Sequence, residues 1–541
     1  MRVWLVRVST SGKQRFIFGS TKRKEIVGAS DLIARVDQKW VGEALRALFP
    51  GFSSDWRIEQ REAELVMAGA GSAMVLVRDA GRAKELVTAV TRRALREAPG
   101  LEVSGVVVSF EWNGAGGPGE AIRKAHHLEP VVRATLPPQE ARFLRLPLVE
   151  ECAATGLPAA ALGQSSSKSR AKPRSAVSQE KRGAYEEALD RLFGVLAGER
   201  RAVMRNEVGA MVEYLGEEAE WVAVVHADGN GLGAVFGNFE TVIAGAGARP
   251  SARDYVDQLR EFSQLVDACA QAAFRDAVEH VTRPDTARFG GLPAVLPLVL
   301  GGDDLTVVCD SAVALPFTEQ YLRRFADHTE HRLRRWLARM EQRRLGAAAG
   351  VAIVKRHYPF HFAYELSEQL MTAEAKKVKK SLGPGHCALA FHVLYESAAA
   401  DLRRLRSNGG QPRDRGLVAQ PYVVGRVDED AAQPGWERGR RWEDLRRRAA
   451  ALRQRDRESG ELLLSGKDVH ELQEGLFVGR KTAAARLELL TRRYSGDDER
   501  AAALQRLTER PAGDSEGPRS LIGLLDARHA ATFLTGTEAH A

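Results

Sequence analysis

Apolar positions organise the first hundred residues into a recognisable order. Val3, Leu5, Val6 and Val8 mark a strand over residues 2–8, and two helical stretches follow, Lys13–Phe18 and Arg23–Ala34. Two short apolar runs, Ala63–Met67 and Ala73–Val77, flank Ala68-Gly69-Ala70-Gly71-Ser72 and predict a hairpin. Residues 81–97 have helical periodicity with Leu86, Val90 and Leu95 facing inward, and Val103–Phe110 reads as a closing strand. The order β-α-β-β-α-β is that of a ferredoxin-like, or palm-like, domain. It returns later as strand 221–227, helix 254–282, hairpin 295–309, helix 316–345 and strand 347–354, so the chain reads as a diverged internal duplication.

The remaining segments have weaker patterns. Residues 113–160 are mixed and contain prolines, and Gly163–Ser175 is polar and basic, the core of an expected disordered linker over 163–182. Tyr185–Met211 is expected to be helical. After the second copy come a helix Phe360–Lys380, a strand Cys387–Val393 and an extended piece Leu417–Val424. Charge-dense helical sequence then fills 434–510, a C-terminal bundle whose arginines are mostly a solvated face, and 511–541 reads as a loose tail. The fold class is α+β. The expected division is a first palm-like domain over 1–112, a connecting region over 113–207, a second palm over 208–425, the bundle and the tail.

Composition narrows the setting. At 541 residues, with 44% hydrophobic and 28% charged residues, the chain can bury several cores as a soluble globular protein. A net charge of +8 favours anionic partners such as nucleotides or nucleic acid. Cys152, Cys269, Cys309 and Cys387 lie far apart with no C-x-x-C pair, which argues against a disulfide framework or a zinc ribbon. The first residues are too short and too interrupted by arginine for a signal peptide, and no apolar run of eighteen residues occurs. A cytoplasmic protein with no membrane partner is expected.

The chemistry concentrates in the second copy. Its first strand ends in Asp228-Gly229-Asn230-Gly231, and its hairpin turns on Gly301-Gly302-Asp303-Asp304. A turn of Gly, Gly, Asp and Asp is ordinary hairpin chemistry when taken alone. With a strand-terminal aspartate seventy-odd residues earlier in the same β-α-β-β order, it can gather three carboxylates at one sheet edge. Such a group suits two divalent cations, Mg²⁺ or Mn²⁺, and the two-metal chemistry of nucleotidyl transfer. Asp228, Asp303 and Asp304 are therefore the expected catalytic residues and metal ligands. A backbone carbonyl near Gly229 or Asn230 could complete the coordination. Gly229, Asn230, Gly231, Gly301 and Gly302 are expected to lie along the nucleotide, where a Cβ would intrude at the hairpin glycines. Lys376 and Lys380, four apart on one helix face, are placed to clamp phosphates, although lysines near a helix C-terminus also suit its dipole. The first copy has Gly69-Ala70-Gly71-Ser72 at the same place, without an acid, and is expected to be non-catalytic. His226 reads as a strand residue.

Taken together these motifs resemble the large palm-domain cyclase/polymerase subunit of type III CRISPR effector complexes. The resemblance rests on Gln14–Phe18 and Glu25–Ser30 in the first copy, and on Ala227–Gly233 and Gly301–Asp304 in the second. Gly350–Val354, the Ala373–Lys380 helix and Pro421-Tyr422 continue it. It implies a target-activated enzyme that condenses ATP into cyclic oligoadenylate second messengers for antiviral defence, with guide and target RNA and other complex subunits as partners. The chain departs from fuller members: the HD nuclease domain is expected to be missing, no His-Asp dipeptide occurs, and the cysteine-rich zinc knuckle is reduced to Cys152. Two other readings fit the same residues, a free-standing cyclic oligonucleotide synthase and an RNA- and protein-binding scaffold with an inactive palm.

Overall fold

The computed structural model describes residues 1–114, 116–163, 171–197, 205–244, 250–395, 418–428, 433, 435–508, 521 and 523–534. Within the expected linker and tail, 164–170, 511–520, 522 and 535–541 lie outside the described residues. Strands in chain order are β1 Arg2–Ser11, β2 Ala63–Gly69, β3 Ser72–Val77, β4 Glu102–Glu111, β5 Ala161–Gly163 and β6 Lys172–Arg174. They continue with β7 Trp221–Gly229, β8 Val295–Gly301, β9 Asp304–Asp310, β10 Ala347–Lys355, β11 Cys387–Leu394 and β12 Tyr422–Val424.

The two large sheets share one plan. The first has the order β2-β3-β1-β4, and the second contains β8-β9-β7-β10, extended by β11 and β12 on the β10 side. The four strands of each copy thus occupy the same places. Both hairpins also slip register at one equivalent point, between Leu65 and Met67 in β2 and between Pro297 and Val299 in β8, four residues before the glycine that enters the turn. A bulge bends a strand and strengthens its twist, so its recurrence supports common descent of the copies.

The copies pack reciprocally. The crossover helix Ala252–Val281 of the second copy reaches β2, where the fully buried carboxylate of Glu64 receives Arg253 (2.8 Å) and Arg260. In return, Ser30 on the first copy's helix Arg23–Arg35 donates to the bulged Leu298 carbonyl of β8.

Several segments depart from the sequence expectation, each for a local reason. Leu95 is 59% exposed, because the buried stripe of helix Ala80–Glu97 runs Ala83, Leu86, Val90 and Ala94. The expected helix 316–345 is two, Ser311–Arg332 and Arg334–Arg339, and it starts early because the Asp310 side chain caps it at Ala312 N–H (2.9 Å). The mixed region contains a long helix, Gly117–Ala134, anchored by Glu129 to Ser9 (2.6 Å) and Arg7 (2.9 Å). Part of the basic linker is ordered: β5 pairs with β6, and helix Ala176–Gly183 follows. Its Lys181 is buried, donates to the Phe16 carbonyl and lies over the Phe16 ring. In the bundle, Arg448 is fully buried rather than solvated and donates to the Gly439 carbonyl (3.0 Å). In the tail, helix Leu524–Phe533 carries Asp526, which accepts from Ala419 N–H (2.7 Å), Gln420 (2.8 Å) and Tyr422 (2.9 Å). No helix among the described residues is long and apolar enough to cross a membrane.

The Glu64 cluster yields a stability test. Burial raises the Glu64 pKa, but hydrogen bonds from Arg253 and Arg260 outweigh it and hold the acid below its ordinary 4.5. A depressed acid stabilises the fold fully above its unfolded value, and that contribution is lost as pH falls through the folded value. Glu64→Gln is expected to cost about 1–3 kcal/mol at pH 7, since it removes charge-assisted hydrogen bonds while Asp257 still answers both arginines and Glu59 still answers Arg253. Urea unfolding should show this gap closing below about pH 4.5.

Candidate active site

The site is built where β7 ends beside the β8–β9 turn. β7 is a run of small and β-branched residues, buried on both faces, that pairs with β9 through Ala227 and Leu305 and with β10 through Asp228 and Ala348. The turn needs a left-handed residue at its first central position, and Gly302 supplies it with φ of 62°. Asp303 occupies the second central position and swings toward β7. Its approach depends on Gly229, where a Cβ would come within 2.8 Å of the Asp303 Cβ. The result is that the Asp303 carboxyl comes close enough to Asp228 for each charge to act on the other.

The charges here are crowded. Burial first, then the charges of Asp228 and Asp304, push the Asp303 pKa up. Asp304 is raised by burial as well, against the pull of His226, Lys13 and Lys376. Two cations answer the crowd from different parts of the chain. Lys376 places its ammonium on Asp228 Oδ2. Lys13, from the first copy, donates to the Ala70 carbonyl at 2.5 Å and lies close enough to act on Asp304.

The expected site residues take different roles. Asp228, Asp303, Asp304 and Lys376 are brought together. Asp304, however, is turned to His226, with Oδ1 at 3.7 Å from Nδ1. Gly229 makes room for Asp303. Asn230 is 3% exposed and ties the end of β7 to the Gly346 carbonyl (N–H, 2.8 Å) and the His386 carbonyl (Nδ2, 2.9 Å). Gly231 adopts φ of 81° and opens the short helix Leu232–Gly237. Gly301 faces the first copy: a Cβ there would meet the Ala70 backbone nitrogen at 3.3 Å. Lys380 is exposed and has no described contact with the carboxylates. The continuous helix that was to align it with Lys376 is broken into Phe360–Gln369, a wide turn Leu370–Glu374, a tight turn Ala375–Lys377 and Val378–Ser381. The break lies over Gly350 of β10, where a Cβ would be 1.9 Å from the Ser367 carbonyl oxygen.

Besides Lys13, three residues of the site escaped the sequence reading. His226, 5% exposed, shares Nδ1 with Thr306 (3.2 Å) and stands 3.4 Å from the Tyr364 hydroxyl through Nε2. Tyr364 in turn stacks on Phe18 of the first copy at 4.9 Å. Asp267, on the crossover helix, accepts from Gly302 N–H at 2.9 Å and fixes the turn. A His two residues before a strand-terminal Asp was the available signal; Asp267 sits in a helix with nothing local to mark it.

Among the described residues, no three His, Cys, Asp or Glu side chains converge as a ready-made metal centre. The donor set nevertheless fits Mg²⁺ or Mn²⁺. The converging side-chain donors are the carboxylate oxygens of Asp228 and Asp303, and Mg²⁺ is commonly held by one or two carboxylates together with substrate phosphates. A divalent cation would also offset the burial and the neighbouring charges that raise the Asp303 pKa.

Residues 221–382 match the family model described as Cas10/Cmr2, second palm domain. The matched stretch contains Asp228, Asp303, Asp304 and Lys376, and the second domain is a palm like those of Cas10/Cmr2 proteins. No curated protein matches the chain. Among solved structures, the chain is similar in fold to a Csm1–Csm4 cassette in complex with one ATP, at 12% identity and a TM-score of 0.50, over 98% of this chain and 70% of that one. It also aligns with Csm1 from T. onnurineus at 16% identity and a TM-score of 0.49, over 98% of this chain and 69% of that one.

The raised Asp303 acid predicts a cost in the metal-free protein. Its folded pKa exceeds the ordinary 3.8, so the folded state holds more protons than the unfolded one and stability falls as pH rises through that interval. Asp303→Asn should therefore melt about 2 °C or more above the parent at pH 8 in EDTA, with the difference vanishing near pH 4. Scanning calorimetry at the two pH values checks this.

Proposed function

We propose that the chain is a nucleotidyltransferase that condenses ATP into cyclic oligoadenylates as a subunit of a type III CRISPR effector complex. What carries the reading is the close approach of Asp303 to the end of β7 at Gly229, beside Asp228, inside the segment that matches the Cas10/Cmr2 palm. Two part-buried like charges brought together at a strand end cost stability, and binding a cationic cofactor is the chemical use for them. The cassette of similar fold holds one ATP and is paired with Csm4; ATP and a Csm4-like subunit are the substrate and partner assigned to this chain.

Asp228 and Asp303 would hold Mg²⁺ or Mn²⁺, which when bound lowers the pKa of an attacking ribose hydroxyl and neutralises charge on the triphosphate. In each condensation the hydroxyl oxygen bonds to the α-phosphorus, the bond to pyrophosphate breaks, and the hydroxyl proton passes to water. Lys376, already at Asp228, is within reach of a triphosphate bound at the same carboxylates and would stabilise it by a charge-assisted contact. Asp267 keeps the Gly302 amide engaged, so the turn stays in the conformation that points Asp303 at β7. Asp304 is turned to His226, and its Oδ1 is buried without a hydrogen-bond partner among the described residues.

Incubation with ATP and Mg²⁺ or Mn²⁺, with and without complementary guide and target RNA, followed by chromatography, tests the assignment. Asp303→Ala/Asp304→Ala should lower product formation by about 100-fold or more. Equal product from parent and variant would overturn the reading. Lys376→Ala should raise the KM for ATP about tenfold while leaving kcat within a few-fold, since it removes binding shared by ground and transition states.

A further inference from the structure

Three cations in a row, Lys22, Arg23 and Lys24, stand at the start of helix Arg23–Arg35. That end of a helix already carries positive charge from its unpaired N–H groups, so cations there are unfavourable. The N-cap residue, Lys22, offers no side-chain cap. The one acid of the first turn, Glu25, is turned inward onto Ser20 (2.6 Å), Ser178 (2.7 Å) and Arg182 (3.6 Å).

Arg182 and Arg356 bring two more positive charges to the same place. Together these groups line a cavity of about 490 Å³ in which five Lys and Arg side chains face two carboxylates, Glu213 and Glu217. Five cations less two lining carboxylates, and less Glu25 behind Arg182, leave a net +2 with the histidines neutral. Lys24 reaches Glu213 only at 3.6 Å, between half-exposed groups. Arg23 is the least satisfied. Its guanidinium lies over the Phe360 ring at 5.0 Å, its Nη2 has a long bond of 3.4 Å to the Arg356 carbonyl, and its Nε is buried without a partner. Burial lowers its pKa to about 10; Glu217 resists this and Arg356 adds to it. Space for the group exists because residue 216 is glycine, whose Cβ would lie 2.3 Å from an Arg23 nitrogen.

The opposite wall is aromatic: His357, Tyr358, Phe360 and His361 follow β10. This wall adjoins Lys355, which pairs with Trp221 at the start of β7. Asp228 is seven residues along that strand, roughly 23 Å away at the usual rise per residue. The cavity is therefore separate from the carboxylate site.

We propose that this cavity binds the phosphates of a nucleotide, with the phosphates at the cationic helix start and the base against the rings of the β10 turn. An anion there offsets the repulsion among Lys22, Arg23, Lys24, Arg182 and Arg356, and aromatic faces accept a base by stacking. The same chemistry is presented by a free nucleotide and by the phosphorylated end of an RNA strand.

Calorimetric titration of the full chain in EDTA, where metal-dependent binding at the carboxylates is silenced, tests the site with ATP, a 5′-phosphorylated A₆ RNA and adenosine. ATP or the phosphorylated RNA should bind in a salt-sensitive manner, adenosine should not, and Lys22→Glu/Arg356→Glu should weaken binding about tenfold or more. The tighter of the two phosphorylated probes identifies the source. Basal ATP turnover by the variant should match the parent. At low salt, Lys22→Glu alone should raise the melting temperature, because it replaces a cation with an anion at the helix start. Equal affinity of parent and double variant, or no binding of either phosphorylated probe at millimolar concentration, would overturn the proposal.

Discussion

Two hairpin turns meet tip to tip, and the geometry of the carboxylates depends on that meeting. Gly301 lies so close to the first turn that a Cβ would sit 3.3 Å from the Ala70 backbone nitrogen. Each turn is held from behind by an aspartate on its own copy's crossover segment: Asp37 accepts from Gly71 N–H at 2.8 Å, and Asp267 from Gly302 N–H at 2.9 Å. The amide engaged is one position later in the first turn than in the second. Burial, above all, pushes Asp37 up to about 7, and the charge of Asp267 adds to it. The meeting therefore concentrates negative charge well beyond the carboxylates of the turn itself. Lys13 and Lys376 are the compensating cations, one from each half of the chain.

The first copy contributes to this arrangement without acids at its own turn. Strand register places Ser9 where the second copy has Asp228, and Ser72 where it has Asp304. Gly71 stands in place of Asp303. What the first copy supplies is a backbone surface for Gly301, the Lys13 ammonium, and the Phe18 ring under Tyr364. Tyr364 then touches His226, and His226 faces Asp304. The orientation of the paired acids is thus set partly by residues more than two hundred positions earlier.

Much of this was legible in the sequence, because strand alternation and turn glycines are local signals. The duplicated order of elements, the turn at Gly301–Asp304 and the strand ending in Asp228 follow from residues adjacent in the chain. What could not be read depends on partners far apart. Lys380 required an unbroken helix, and the close seat of that helix on Gly350 breaks it. Lys181 looked like part of a solvated basic stretch, but the Phe16 ring and carbonyl receive it in the core. Asp526 lies in a sequence with no strong pattern, and its helix is tied down by the three donors that meet it from Ala419, Gln420 and the first residue of β12, Tyr422. In the last two cases a buried polar group found its partner across the fold, which periodicity does not encode.

The matching bulges at Leu65–Met67 and Pro297–Val299 show how the two halves divide labour. A bulge is inherited as backbone shape, independent of which side chains the neighbouring turn displays. The half without acids is therefore constrained in its curvature and free in its chemistry, whereas the acidic half is constrained in both. Substitutions should accumulate unevenly over evolutionary time, with drift at Ser9 and Ser72 tolerated as long as the ribbon that carries them keeps its bend.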